Sequence, residues 1–391
     1  MPRAVWLLVI GMAINVTGSS FLWPLNTIYM NGELGKSLTV AGIVLMLNSI
    51  ATIIGNLFGG TIFDKIGGYR SILLGCSISM LALIGLNVWN TFIPYTIFLS
   101  ICGFGGGIIF PAMYALAGTV WPEGGRKTFN AIYIAQNVGV ALGAALAGII
   151  ANISFQLAFL GNLMLLTVFF FIALFGYKNL NANVVKNKKQ EQVELGNKNY
   201  ASMISLLTVC VAFLLCWVGY VQWQTTIATY TQEINISLEQ YSLLWTINGA
   251  MIVFCQPLLA PIVKRIKSLK TQIVVGLVIF MISYVVTSVA DQFTMFVAGM
   301  VILTLGEMFV WPVIPTIAAQ LAPKGKEGFY QGVVNSTGTV GKMIGPILGG
   351  YLVDHYGMGT MFLIMPLLLI IGIATTLVYD KPLKGKIKEA A

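Results

Sequence analysis

Long apolar stretches alternate along the chain with short polar segments. Twelve stretches stand out, at 4–30, 38–62, 70–90, 93–120, 129–151 and 154–177, then 201–230, 239–263, 271–290, 293–320, 328–352 and 358–379. A helix rises about 1.5 Å per residue and bilayer hydrocarbon is about 30 Å thick, so some 20 apolar residues make one crossing. The period-two alternation of a membrane β-barrel strand is missing. The pattern predicts an all-α membrane protein with twelve transmembrane helices. The polar stretch 178–199, KNLNANVVKNKKQEQVELGNKN, divides them six and six. The expected organisation is a six-helix bundle at 1–177, a cytoplasmic linker at 178–200, a second six-helix bundle at 201–380 and a basic cytoplasmic tail at 381–391.

Composition sharpens this picture. Hydrophobic residues make up 57% of the 391 and charged residues 9%, against about 25% charged in ordinary soluble domains. A soluble enzyme, a disordered chain and a disulfide scaffold are excluded. One histidine, His355, leaves little room for zinc or histidine-based catalysis. The five cysteines all lie in apolar runs and read as small buried hydrophobes. No metal site and no cofactor is expected. The net charge of +9 is a matter of topology. With the N-terminus in the cytoplasm, 20 of the 22 basic residues fall in inside segments. That side attracts anionic membrane lipids, and nucleic-acid binding is not expected.

The halves repeat. At an offset of 201, Gly105 and Pro111 meet Gly306 and Pro312. At 202, Gly139, Gly143 and Gly148 meet Gly341, Gly345 and Gly350. Two repeated bundles predict a substrate cavity reached alternately from either side of the membrane.

Residues 60–70, GTIFDKIGGYR, follow the second span. Gly60, Asp64, Lys65, Gly67 and Arg70 resemble the signature loop of the major facilitator superfamily. Ile62 stands where that pattern has Leu, and Gly68 and Tyr69 where further basic residues are usual. The resemblance covers essentially the whole chain. It implies the family fold, two bundles related by pseudo-twofold symmetry, and a cytoplasmic latch made by Asp64 and Arg70 in the outward-open state. In the second-half counterpart, 260–270, Lys264 occupies the aspartate position. Span 11 carries GKMIGPILGG, where Gly341, Gly345, Pro346, Gly349 and Gly350 resemble the Gly-Pro-x-x-Gly-Gly motif that antiporters of the family carry in span 5. Span 5 has Ala144 in the proline position, and helix packing explains these glycines as well. The span-4 arginine of many drug antiporters is absent, with Leu99 in its place.

Charges at bilayer depth cost at least about 2.5–3.5 kcal/mol near a helix centre. Two fall mid-span, Glu307 in TLGEMFVWP and Lys342 in span 11. Glu307 could carry a coupled proton, since burial favours the neutral carboxyl and an approaching cation the charged one. It could instead form an ion pair with Lys342, or face lipid or substrate alone. GEMFVWP and the span-8 string WTINGAMIVFCQP also resemble proton-coupled multidrug transporters of the superfamily.

Polar and aromatic side chains within spans mark a binding surface: Asn26 in span 1, Trp217, Tyr220 and Gln224 in span 7, and Asn248 and Gln256 in span 8. Trp23 of span 1 belongs to the same expectation. The sequence leads to a secondary active transporter, not an enzyme. It would act as a monomer in a bacterial plasma membrane with both termini cytoplasmic, exporting hydrophobic or amphipathic small molecules against protons. The alternatives are a proton-coupled carrier of a metabolite, sugar or lipid precursor, and a non-transporting receptor or scaffold.

Overall fold

The computed structural model describes residues 1–22, 25–89, 91–151, 154–180 and 196–383, with the side chains of 38, 147–149, 151, 196–199 and 238 excepted. Most of the expected linker, the tail beyond residue 383 and Trp23 lie outside the described residues. Among the described residues there is no β-strand. The helices are α1 (Arg3–Leu22), α2 (Leu25–Gly32), α3 (Leu38–Ile66), α4 (Gly68–Val88), α5 (Phe92–Val120), α6 (Arg126–Ala151) and α7 (Phe155–Gly176). They continue as α8 (Gly196–Gln222), α9 (Thr226–Glu233), α10 (Leu238–Phe254), α11 (Gln256–Arg265), α12 (Leu269–Ser288) and α13 (Phe293–Val310). The last three are α14 (Val313–Leu321), α15 (Glu327–Tyr356) and α16 (Met358–Val378).

Ten helical stretches among the described residues are long and apolar enough to cross a membrane. An eleventh comes from α10 and α11, bent by 60° at Cys255. The break has a local cause: Pro257, in the first turn of α11, lacks the N–H that would continue α10. The twelfth expected crossing is α15, 30 residues long. It falls short in apolarity because Gln331, Asn335, Ser336, Thr337, Thr339 and Lys342 interrupt it.

The chain forms two compact units. The first comprises residues 1–194 and 322–336, the second 195–321 and 337–391. The whole second half was expected in one bundle, but the opening of α15 belongs with the first unit. In the first unit α5 packs on α3 and α4, and α1 on α6 and α7. Phe63, Ile72, Cys76, Tyr95, Ile109 and Met113 fill its buried interior. In the second unit α12 packs on α13 and α16, with Phe280, Tyr284, Phe296 and Met300 buried.

Candidate functional site

Glu307 sits on α13 one turn before the chain breaks at Trp311 and Pro312. It is 2% exposed. Asn248, on α10 and 4% exposed, directs its side-chain amide at it. One N–H donates to Glu307 Oε2 at 3.0 Å and the other to Thr304 Oγ1 at 2.9 Å. Thr304 passes its own hydrogen to the Met300 carbonyl at 2.8 Å, so the Asn248 orientation is fixed from below. The Tyr220 phenol, from α8, also hydrogen-bonds the Glu307 side chain. Three helices of the second unit thus converge on one carboxyl. As a carboxylate it accepts from Asn248 and Tyr220. As a carboxylic acid it keeps an acceptor oxygen and has a hydrogen of its own to give.

Aromatic rings gather beside this carboxyl. Trp217 and Tyr220 share a face of α8 with centroids 5.4 Å apart. Trp311 lies 5.0 Å from Trp217 and 5.2 Å from Tyr220. Trp245 of α10 reaches Tyr220 at 5.8 Å, and Phe213 lies 5.9 Å from Trp311. Edge-to-face pairs of this kind add about 0.5–1.5 kcal/mol each beyond area burial. Trp311, Trp245 and Phe213 had no place in the sequence expectation. Trp311 stands four residues after Glu307, and i to i+4 spacing on α13 was the available signal.

Lys342 does not form the ion pair that stood as the alternative reading of Glu307. Its ammonium stands over the Trp217 ring, 4.1 Å from the centroid. Its side chain is exposed, and no Glu307–Lys342 ion pair occurs among the described residues. The α15 glycines explain how the lysine reaches the indole. A Cβ at Gly341 would strike the Trp217 side chain, so only glycine lets α15 lie so close to α8. Gln222 fastens the next turn by donating to the carbonyls of Val218 and Gly345, both at 2.8 Å. Gly349 rests against that glutamine, whereas a side chain at Gly350 would meet open space. The helix runs unbroken through Pro346.

The remaining expected contacts separate. Asn26 is buried in the first unit, where its Oδ1 accepts from Tyr95 Oη at 2.8 Å, so its acceptor is already engaged. Gln224 lies in the turn after α8, which ends at Gln222, and does not continue the face of Trp217 and Tyr220. The 60° bend at Cys255 separates Gln256 from the face that bears Asn248.

In the first unit, Asp64 lies near the end of α3. Its Oδ1 accepts from the Gly328 N–H at 2.8 Å and its Oδ2 from the Phe329 N–H at 2.9 Å. These N–H groups belong to the first turn of α15, where the helix dipole favours an anion. Gly60 makes the approach possible, because a Cβ there would clash with the Gly328 carbonyl oxygen. Gly67 turns the chain between α3 and α4 at φ 84°, a left-handed conformation that favours glycine. Arg70 is exposed and does not pair with Asp64, in contrast to the expected latch.

Comparison with known proteins follows the same lines. The family model of the Major Facilitator Superfamily matches residues 8–231 and 210–391. The uncharacterized MFS-type transporter YttB of Bacillus subtilis (strain 168) is 56% identical over 386 residues, 98% of this chain and 97% of that protein. Quinolone resistance protein NorA of Staphylococcus aureus (strain MRSA252) is 23% identical over 360 residues, 90% of this chain and 91% of its own length. Among solved structures, a bacterial homologue of the iron transporter ferroportin in its outward-facing state superposes with a TM-score of 0.79 at 13% identity. That match covers 97% of this chain and all of the other, and it speaks for the fold alone. Many-span helical architecture, a repeated sequence, an aspartate-capped α15 and matches along almost the whole length lead to one conclusion: the chain is a multi-pass membrane protein and belongs to the Major Facilitator Superfamily of transporters.

Proposed function

We propose that the protein is a proton-coupled exporter of hydrophobic or amphipathic small molecules that works by alternating access. The observation that carries this reading is Glu307, a carboxyl 2% exposed and held by Asn248 and Tyr220 against an aromatic wall. A buried carboxyl with donors on two sides serves both protonation states, which a coupling group must do. Trp217, Tyr220, Trp245 and Trp311 are the substrate wall, since flat rings accept apolar bodies of varied shape. Glu307 carries the proton without Lys342, whose ammonium rests on Trp217. The distant relative named for quinolone resistance supports export.

Asp64, with Gly60 and Gly67, is the gating element. Its carboxylate anchors the start of α15, and releasing those two hydrogen bonds frees that helix to move. The protein works as a monomer in a bacterial plasma membrane, termini inward, as the lysine and arginine distribution supports. The test is transport in proteoliposomes with an imposed pH gradient and a panel of amphipathic dyes of either charge. Wild type concentrates at least one dye, and Glu307→Gln does not. Gradient-driven accumulation that survives Glu307→Gln removes the proton role.

A further inference from the structure

The accessible charge beside the aromatic wall is positive. Glu307 is buried beneath it and already accepts from Asn248 and Tyr220. Lys342 is exposed, and its ammonium stands over the Trp217 ring. The helix wheel of α15 says which way it faces. Apart from Tyr356, the last residue of the helix, the exposed large apolar residues of α15 are Ile344, Ile347 and Tyr351, at 41%, 65% and 52%. At about 100° per residue, Lys342 lies roughly 140–180° around the helix from them. Gly338, Gly341 and Gly345, which seat Trp217 and Val221, flank it on its own side. Lys342 therefore points away from the face suited to acyl chains, and a charge at that depth belongs in a wet interior.

We propose that this site receives amphipathic organic anions, the apolar body lying on Trp217, Tyr220 and Trp311 and a single carboxylate, sulfonate or phosphate meeting the Lys342 ammonium. The proposal rests on the transporter reading of the same site and names its substrate class. The indole face holds the ammonium by a cation–π contact that is weaker than a charge-assisted hydrogen bond, so an arriving anion displaces the ring and gains the lysine. A lipophilic cation would have to approach this ammonium, with the opposite charge buried behind it.

Binding, not transport, is the readout, so the test does not depend on proton coupling. The purified protein in phosphatidylcholine nanodiscs is titrated calorimetrically with 2-naphthoate and with the cationic analogue (2-naphthylmethyl)trimethylammonium. Wild type should bind the carboxylate about tenfold more tightly than the cation, the difference of one charged hydrogen bond. Lys342→Gln should lose about that factor for 2-naphthoate alone, and Lys342→Arg should keep most of it. Unchanged thermal unfolding shows that the variants fold. Adding phosphatidylglycerol to the discs identifies the source of the anion: competition with 2-naphthoate supports the class with a lipid headgroup as ligand, and lack of competition supports it with a soluble anion. A cation bound as tightly as the carboxylate, no binding of 2-naphthoate, or a Lys342→Gln affinity equal to wild type overturns the proposal. Failure of the coupling reading appears separately, as gradient-driven transport that persists in Glu307→Gln.

Discussion

The same stretch of the repeat meets different fates in the two halves. In the first, α3 is continuous for 29 residues and ends with Asp64 capping the start of α15. In the second, the corresponding stretch breaks into α10 and α11 with a 60° bend, and Lys264 stands where the aspartate would be. The fourth span of each half differs likewise. Helix α5 runs through Pro111, whereas its partner stops at Val310 and restarts at Val313 around Pro312. Asn48 and Asn248 occupy corresponding places at an offset of 200, but Asn48 donates to the Leu99 carbonyl at 2.9 Å and Asn248 to Glu307. Opposite Glu307 in the first half is Gly106, where a side chain would meet open space. The repeat thus holds an anchoring carboxylate in one half and a buried carboxyl in the other. The carboxyl of the second half sits one turn before a broken helix.

The largest effect that tests this division is Glu307→Gln. Gradient-driven transport should fall to that of empty vesicles while thermal unfolding stays near wild type, because the amide keeps shape and acceptor. Adding Gly106→Glu to that variant should not restore coupling, since Asn48 is turned to Leu99. Recovery would mean that the halves are interchangeable. Next comes Gly60→Val. Its branched side chain meets the Gly328 backbone, and overpacking of that kind costs about 1–3 kcal/mol, read as a lowered Tm and lost transport. Asp64→Asn, which leaves one acceptor for two N–H donors, should cost about 1–2 kcal/mol in the same assay. The smallest effect is Lys264→Asp. It places an acid in the last turn of α11, where the dipole favours a cation, and should lower stability by about 0.3–1 kcal/mol without creating a second latch.

Much of the fold was legible in the sequence because a bilayer demands long apolar helices and leaves few alternatives. Glu307 was legible for the related reason that mid-span charges are rare. The partners were not. Asn26 meets Tyr95 across 69 residues, and nothing local announces such a pair. Gln224 fits the period of α8 on paper, yet the helix ends two residues earlier, so the shared face stops there. Pro257 was visible, but the bend that separates Asn248 from Gln256 depends on how the helix resumes. The alternative of a Glu307–Lys342 pair overlooked Trp217, whose ring face gives the ammonium a contact that charge counting ignores.

Infrared difference spectroscopy of the protein in nanodiscs, stepped from pH 5 to pH 9, tests the central claim most directly, because it sees a carboxyl gain or lose its proton without requiring the substrate. The protonated-carboxyl band of a buried group should change with pH in wild type and be missing from Glu307→Gln. The same pH-dependent band in the variant, or none in wild type, would contradict Glu307 as the proton carrier.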